Sequence, residues 1–306
     1  MQRRVRVCIA VLAAGASRRM GSCKMAMRLP DGSTLLGRAF EAALACGSMS
    51  YSDGCVRVGG STLPGAMPGA TVGAPACEKA DDPSGRAACL SVAAEPVIEV
   101  VAVTGAHRAE VVPIMERLGV CELHNPDWAQ GQATSVALAA RHALEAGFDA
   151  LLVTVADQPF VGADHLHELV ARFTAQGVGV WRESAGGPHG DAGGRRTDDA
   201  DGRAAISGDA GEDRPAPDAP LVWRVMQAGT GRRGNPCLFA RPCLGALTRL
   251  SGDEGARALF RAHPELPVQD VAFDDPLLFE DADTPQDLAR IAELLASRGR
   301  EGIAVG

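Results

Sequence analysis

The chain has 306 residues, 46% of them hydrophobic, and a formal net charge of −8. That is enough apolar material for one large α/β domain or two small ones, and no apolar run approaches the roughly 20 residues of a membrane span. Nine cysteines, odd in number and without a Cys-x-x-Cys pair, fit neither a disulfide framework nor a zinc site; a reducing cytoplasm is the expected setting.

The first thirty residues carry seven cations (Arg3, Arg4, Arg6, Arg18, Arg19, Lys24, Arg28) and no acid. A local basic patch on an acidic chain suits a small anionic ligand and argues against nucleic acid, which needs an extended basic surface. Only two lysines, Lys24 and Lys79, stand among 28 arginines. An ammonium is a compact charge with movable donors, suited to a phosphate that changes geometry in a reaction.

In chain order, Val5–Leu12 is a buried strand rather than a signal peptide, because it runs into a loop with no cleavage site. The loop, Leu12 to Lys24, has the small residues and cations of a phosphate site. It is not a P-loop: five residues separate Gly15 from Gly21, and Lys24 stands three positions further on. It is not a dinucleotide fingerprint either, since Arg18 and Arg19 occupy backbone that should be bare. A plain strand-to-helix turn with surface arginines is the alternative.

Residues 33–46 then show helical periodicity up to Gly47. Residues 48–95 and 182–220 lack an apolar period and read as flexible insertions. Further strands are expected at Val97–Thr104, Ala150–Ala156, Leu221–Val225 and Val268–Phe273, and further helices over 133–146, 164–176 and 253–262. A last helix starts with Thr284 as N-cap and Pro285 at its first position. Apolar strands alternating with helices imply a mostly parallel sheet covered on both faces, with ligands beyond the carboxyl ends of the strands.

Two carboxylates fall at strand ends. Asp157 follows Leu151–Ala156 and precedes Gln158-Pro159, and Asp283 precedes the last helix. A turn-forming role and a helix-dipole role are the plainer readings of each. With the cationic loop they match the needs of Mg²⁺, which takes one or two carboxylates and completes its shell with water and substrate phosphates. His165 and His167, at i, i+2, face different sides of a helix and read as surface residues. Cys237 and Cys243 read as small buried hydrophobes. Trp223 reads as core; Trp128, in a polar loop, is either packing or a stacking platform.

These residues carry a family resemblance. Leu12–Lys24 resembles the nucleotidyltransferase signature Leu-Ala-Ala-Gly-x-Ser-x-Arg-Met-Gly-x-x-Lys. More narrowly, the chain resembles bacterial molybdenum cofactor cytidylyltransferases. Ordered matches continue through Val103–Ala106, Asn125 with Gly131 and Ser135, Ala156–Pro159, Gly234–Pro236 with Leu238-Phe239, Leu250–Arg257 and Asp281–Pro285.

The resemblance implies a Rossmann-like three-layer α/β/α nucleotidyltransferase fold, as a single domain over 1–306. It implies transfer of CMP from CTP to the phosphate of molybdopterin, release of pyrophosphate, and transient contact with a recipient molybdoenzyme. Leu12, Ala13, Ala14 and Gly15 would line the base and ribose pocket, and Thr104, Gly105, Asn125, Gly131 and Ser135 would complete the nucleotide site. Arg19 and Lys24 would hold the triphosphate, Asp157 would bind Mg²⁺, and Asp283 would be its second ligand. Arg18 sits at a free position of the signature. The guanylyl branch resembles Leu-Ala-Gly-Gly at this turn. The methyl of Ala14 therefore favours a pyrimidine, by about 1–3 kcal/mol at most.

Asn235 in place of the His of many relatives, and Gln132-Ala133-Thr134 in place of a Met-Ser-Ser-like stretch, put departures on the acceptor side. Two alternatives stay open: transfer to a sugar phosphate or other small anionic acceptor, and a non-catalytic protein delivering cofactor to a molybdoenzyme. An oxidoreductase is disfavoured by the missing glycines.

Overall fold

The computed structural model describes residues 4–52, 55–58, 95–176 and 219–303. Within them the elements run β1 (Arg6–Ala13), α1 (Leu35–Ser48), β2 (Met49–Ser52), β3 (Cys55–Val58), β4 (Val97–Thr104), α2 (Arg108–Leu118), β5 (Cys121–His124) and α3 (Gln132–Glu145). They continue as β6 (Ala150–Val155), α4 (Ala163–Ala175), β7 (Val222–Gln227), β8 (Arg233–Ala240), α5 (Arg241–Leu247), α6 (Arg257–Ala262), β9 (Val268–Phe273) and α7 (Pro285–Ile303). Of the two expected insertions, 48–95 and 182–220, residues 53–54, 59–94 and 182–218 lie outside the described residues. The first opens with an antiparallel hairpin of β2 and β3 instead of the aperiodic chain expected.

Seven strands form one sheet in the order β5-β4-β1-β6-β8-β7-β9. Only β8 runs against the rest; it is antiparallel to β6 and β7, while β1, β4, β5 and β6 pair in parallel, as do β7 and β9. The expected α/β class, with a mostly parallel sheet, is what forms.

Strand β1 shows why both faces are covered. Val7, Ile9, Val11 and Ala13 pack with Leu36 and Phe40 of α1, Val111 and Ile114 of α2, and Leu166 and Phe173 of α4. The alternate residues Cys8, Ala10 and Leu12 pack with Val136 and Ala140 of α3 and Leu244 of α5. Successive side chains on a strand point to opposite faces, so an unbroken apolar strand needs helices on both sides. A third cluster joins Leu29, Leu35, Phe160, Ala282, Leu288 and Ile291. It seats the start of α7 against the chain that follows the loop.

Besides the β2–β3 hairpin, four elements escaped the sequence reading: α2, β5, β8 and the short helix α5. Helix α2 contains Pro113, which removes one helical N–H, and ends at Gly119 in the left-handed region (φ 68°), where the Val120 N–H reaches Met115 O at 3.1 Å. Strand β5 is a four-residue polar edge strand, too short for a period to show. Strand β8 contains Gly234 and Pro236, residues that normally argue against an inner strand. It tolerates them because its ladder with β7 shifts register between Arg224 and Val225, leaving Asn235 and Pro236 unpaired there. The helix expected over 253–262 begins only at Arg257, since 251–256 form turns around Gly252 and Gly255, both at positive φ.

Candidate functional site

The loop after β1 turns on Ser17 (φ 47°) and Gly21 (φ 68°), two left-handed positions within five residues. Ser17 Oγ accepts the backbone N–H of Lys24 at 3.3 Å, and Lys24–Ala26 form one 3₁₀ turn. Cys23 and Met25 are buried in the core on the α1 face. Flanked by two anchors, Lys24 cannot swing out, and its side chain is 8% exposed.

Lys24 Nζ donates to Asp157 Oδ2 at 2.9 Å and to Asp283 Oδ1 at 3.0 Å, and Arg19 Nη1 donates to Asp283 Oδ2 at 3.0 Å. The backbone makes this meeting rigid: Ala156 N–H bonds to Leu12 O and Ala282 N–H bonds to Asp157 O, both at 3.2 Å. Three distant stretches of sequence are thus joined at the carboxyl edge of β1 and β6. Burial works against the Lys24 charge, but Asp157 and Asp283 outweigh it and raise its pKa. Nearby Asp281 is pushed up, first by burial and then by the charges of Asp283 and Asp157.

Among the described residues, no group of three or more His, Cys, Asp or Glu forms a complete metal cage. The pair Asp157 and Asp283 converging on one cationic centre is, however, the donor set that a hard divalent ion takes when phosphates and waters fill the rest of its shell. The residues present therefore fit a Mg²⁺-type ion.

The residues expected to surround a nucleotide divide into two groups. Leu12, Ala13, Ala14 and Gly105 are buried at the strand ends, and Gly15 is exposed. A Cβ on Gly105 would lie 2.7 Å from both Ala14 O and Trp128 Cβ, and nothing stands within 4 Å of one on Gly15. Thr104, Asn125 and Ser135 are buried, and their side chains bond inside the protein. Thr104 Oγ1 donates to Glu122 Oε1 at 2.5 Å. Asn125 Nδ2 donates to Thr134 Oγ1 and Ser135 Oγ, both at 2.9 Å, while its Oδ1 accepts from Asp127 N–H at 3.0 Å. These three hold the loops in place. Gly131 (φ 114°) lies so close to Gly252 that a Cβ would fall 2.3 Å from its carbonyl oxygen.

The two histidines correct a sequence expectation. Both are buried, not on the surface: His165 Nδ1 accepts the Gly162 N–H at 3.0 Å, capping α4, and burial lowers the pKa of His167. Cys237 and Cys243 are buried, and burial pushes each thiol up to about 12. Trp223 is fully buried, edge-on to Phe173 at 5.3 Å, and Trp128 is partly exposed.

Sequence reasoning missed a cavity of about 390 Å³ beside Leu12 and Val153, on the α3 face of the sheet. Its wall includes Asn235, Phe260 and three arginines, Arg224, Arg233 and Arg257. A charged residue in the middle of the apolar run Val222–Met226 was the available signal.

The sequence matches the MobA-like NTP transferase domain over residues 9–58 and 86–267. The chain belongs to that family. Members of the MobA-like NTP transferase family are nucleotidyltransferases by that description. No curated protein sequence matches the chain.

Among solved structures it is similar to a Mycobacterium sp. strain JC1 homologue of Mycobacterium tuberculosis Rv0371c, at TM-score 0.58 and 19% identity over 96% of this chain and 99% of that one. Rv0371c itself, from M. tuberculosis H37Rv in complex with manganese, gives 0.54 and 17% over 95% and 100%. The 4-diphosphocytidyl-2C-methyl-D-erythritol synthase of Anaerococcus prevotii gives 0.53 and 8% over 96% and 99%. At these identities the likeness is one of fold.

Proposed function

We propose that this MobA-like transferase is a divalent-metal-dependent cytidylyltransferase that joins CMP from CTP to the terminal phosphate of molybdopterin. The observation that carries the reading is Lys24, held between Asp157 and Asp283 with Arg19 alongside, at the edge of the sheet. A manganese complex of one structural neighbour and the cytidylyl product named for another are consistent with a metal and with CTP.

In the proposed reaction an ionised phosphate oxygen of the acceptor attacks the α-phosphorus of CTP. A new P–O bond forms while the bond to the β-phosphate breaks, and pyrophosphate leaves with the electron pair. No proton has to move, so no general base is needed; positioning and charge neutralisation supply the rate. A Mg²⁺ ion held by Asp157 and Asp283 would neutralise triphosphate charge. Lys24 and Arg19 would donate to phosphate oxygens as negative charge passes to the leaving group. Leu12–Gly15 would line the base and ribose, with the Ala14 methyl favouring cytosine. The product would pass to a recipient molybdoenzyme.

The test is pyrophosphate release by the purified protein with Mg²⁺ and molybdenum cofactor, comparing CTP, GTP and ATP. Turnover with CTP supports the proposal. Inertness of all three nucleotides with that acceptor rejects it in favour of another phosphorylated acceptor or a carrier role.

A further inference from the structure

Arg224 and Arg233 would repel each other at the cavity wall without the carboxylate behind them. Asp270 accepts from Arg224 Nε and Nη2 on Oδ1, at 2.9 and 2.8 Å, and from Arg233 Nε on Oδ2, at 2.6 Å. Each oxygen serves one guanidinium, so the carboxylate sets the position of both at once. It sits on β9, the edge strand paired in parallel with β7, directly opposite Arg224. Arg224 is further fixed by lying over the Phe260 ring at 4.9 Å.

This leaves donors over. Nη1 of Arg224 and both Nη groups of Arg233 make no hydrogen bond among the described residues, and neither does the guanidinium of Arg257. Of the two acids at the same cavity, Glu254 is engaged by Arg261 at 2.5 Å, which leaves Asp253 as the one without an ion pair among the described residues. Fixed, planar guanidinium forks with unspent donors are the chemistry that binds an oxyanion. Leu12 connects this cavity to the Lys24 loop, since its side chain lines the cavity while its carbonyl holds Ala156.

We infer that the cavity is an oxyanion subsite for the acceptor, and that Asp270 is its positioning residue. This rests on the transferase reading of the adjoining loop. It assigns the acceptor a contact separate from the triphosphate contacts of Lys24 and Arg19.

The experiment is calorimetric titration of the full chain with phenyl phosphate, while Mg²⁺ and a nonhydrolysable CTP analogue fill the nucleotide site. Binding is expected with the analogue present, and benzyl alcohol, lacking the oxyanion, is not expected to bind. Asp270→Asn is the decisive variant, because charge and position predict opposite signs. Losing a negative charge next to an anion site strengthens binding if charge alone counts. If Asp270 positions the arginines, binding weakens, by about tenfold, and Asp270→Glu recovers part of the loss. Affinity for the CTP analogue stays within about twofold in both.

Unchanged or tighter phenyl phosphate binding in Asp270→Asn overturns the inference, as does displacement of the probe by the analogue. Should that variant fail to fold, Arg257→Ala decides, since it breaks no ion pair. A loss of roughly fivefold or more supports the subsite, and none overturns it. Phenyl phosphate binding without turnover on molybdenum cofactor removes the acceptor assignment and leaves the subsite. Turnover with variants that bind like the wild type does the reverse.

Discussion

Lys24 has 8% of its side chain exposed, yet it meets carboxylates from two other parts of the chain. Its ammonium fits between them as a point charge, which a planar guanidinium would not. On the proposed mechanism, Lys24→Ala and Asp157→Ala should each lower kcat by about 10²–10³, the cost of losing one preorganised electrostatic contact. Lys24→Arg should recover little of it. Single-turnover pyrophosphate release measures both. The cysteines make a second prediction at this scale. Burial keeps Cys8, Cys46, Cys237 and Cys243 as thiols with pKa values of about 12, whereas Cys121 is exposed. Thiolates are the reacting form. Iodoacetamide at neutral pH should therefore label Cys121 in the folded protein and the other four only after unfolding, as peptide mass mapping would show.

At the scale of elements, the start of α7 ties stability to the site. Thr284 Oγ1 accepts the Asp287 N–H at 3.2 Å, and Asp287 Oδ2 accepts the Thr284 N–H at 2.9 Å, a reciprocal cap. Asp283 immediately precedes it. Thr284→Ala should cost about 1 kcal/mol in urea unfolding and weaken divalent-ion binding through a loosened Asp283. The turn before α3 is tighter still. Gly131→Ala should strain the contact with Gly252, because φ 114° disfavours any side chain and the carbonyl is in the way. A raised KM for the nucleotide with little change in the melting of other elements would be the signature, read by kinetics and hydrogen exchange.

For the whole molecule, ligand linkage and acid behaviour follow from the same contacts. Binding of Mg²⁺ and CTP at about 100 times Kd should add about 2.7 kcal/mol and raise Tm by on the order of 5 °C. Asp157→Ala should abolish the shift. Two carboxylates illustrate the pH dependence. Hydrogen bonding to Arg108 lowers Glu122 from 4.5, and at Asp270 the bonds from Arg233 and Arg224 outweigh burial and lower it from 3.8. A lowered pKa stabilises above the unfolded value, and that contribution disappears as pH falls through the folded one. Stability should thus drop below about pH 4. Asp281, raised chiefly by burial, works in the opposite sense: it disfavours the fold as pH rises through its folded value. A urea midpoint series across pH 3–7 would show the net fall on the acid side.

The short-range physics of the chain was enough for the α/β class, the loop, and the strand-end acids. Apolar strands covered on both faces write an unbroken run into Val7–Ala13, and the Thr284-Pro285 start of α7 is a local capping pattern. Polar β5, Pro-bearing α2 and the register shift in β8 were hidden, because neighbouring elements rather than local periodicity stabilise them. Thr104 and Asn125 show the same limit: their positions beside the loop were legible, but not that their side chains turn inward. Folding alone decided that Lys24 lies between Asp157 and Asp283, and that Asp270 grips Arg224 and Arg233. Such pairings join residues far apart in sequence, and strand order and helix packing, not local pattern, set the distances between them.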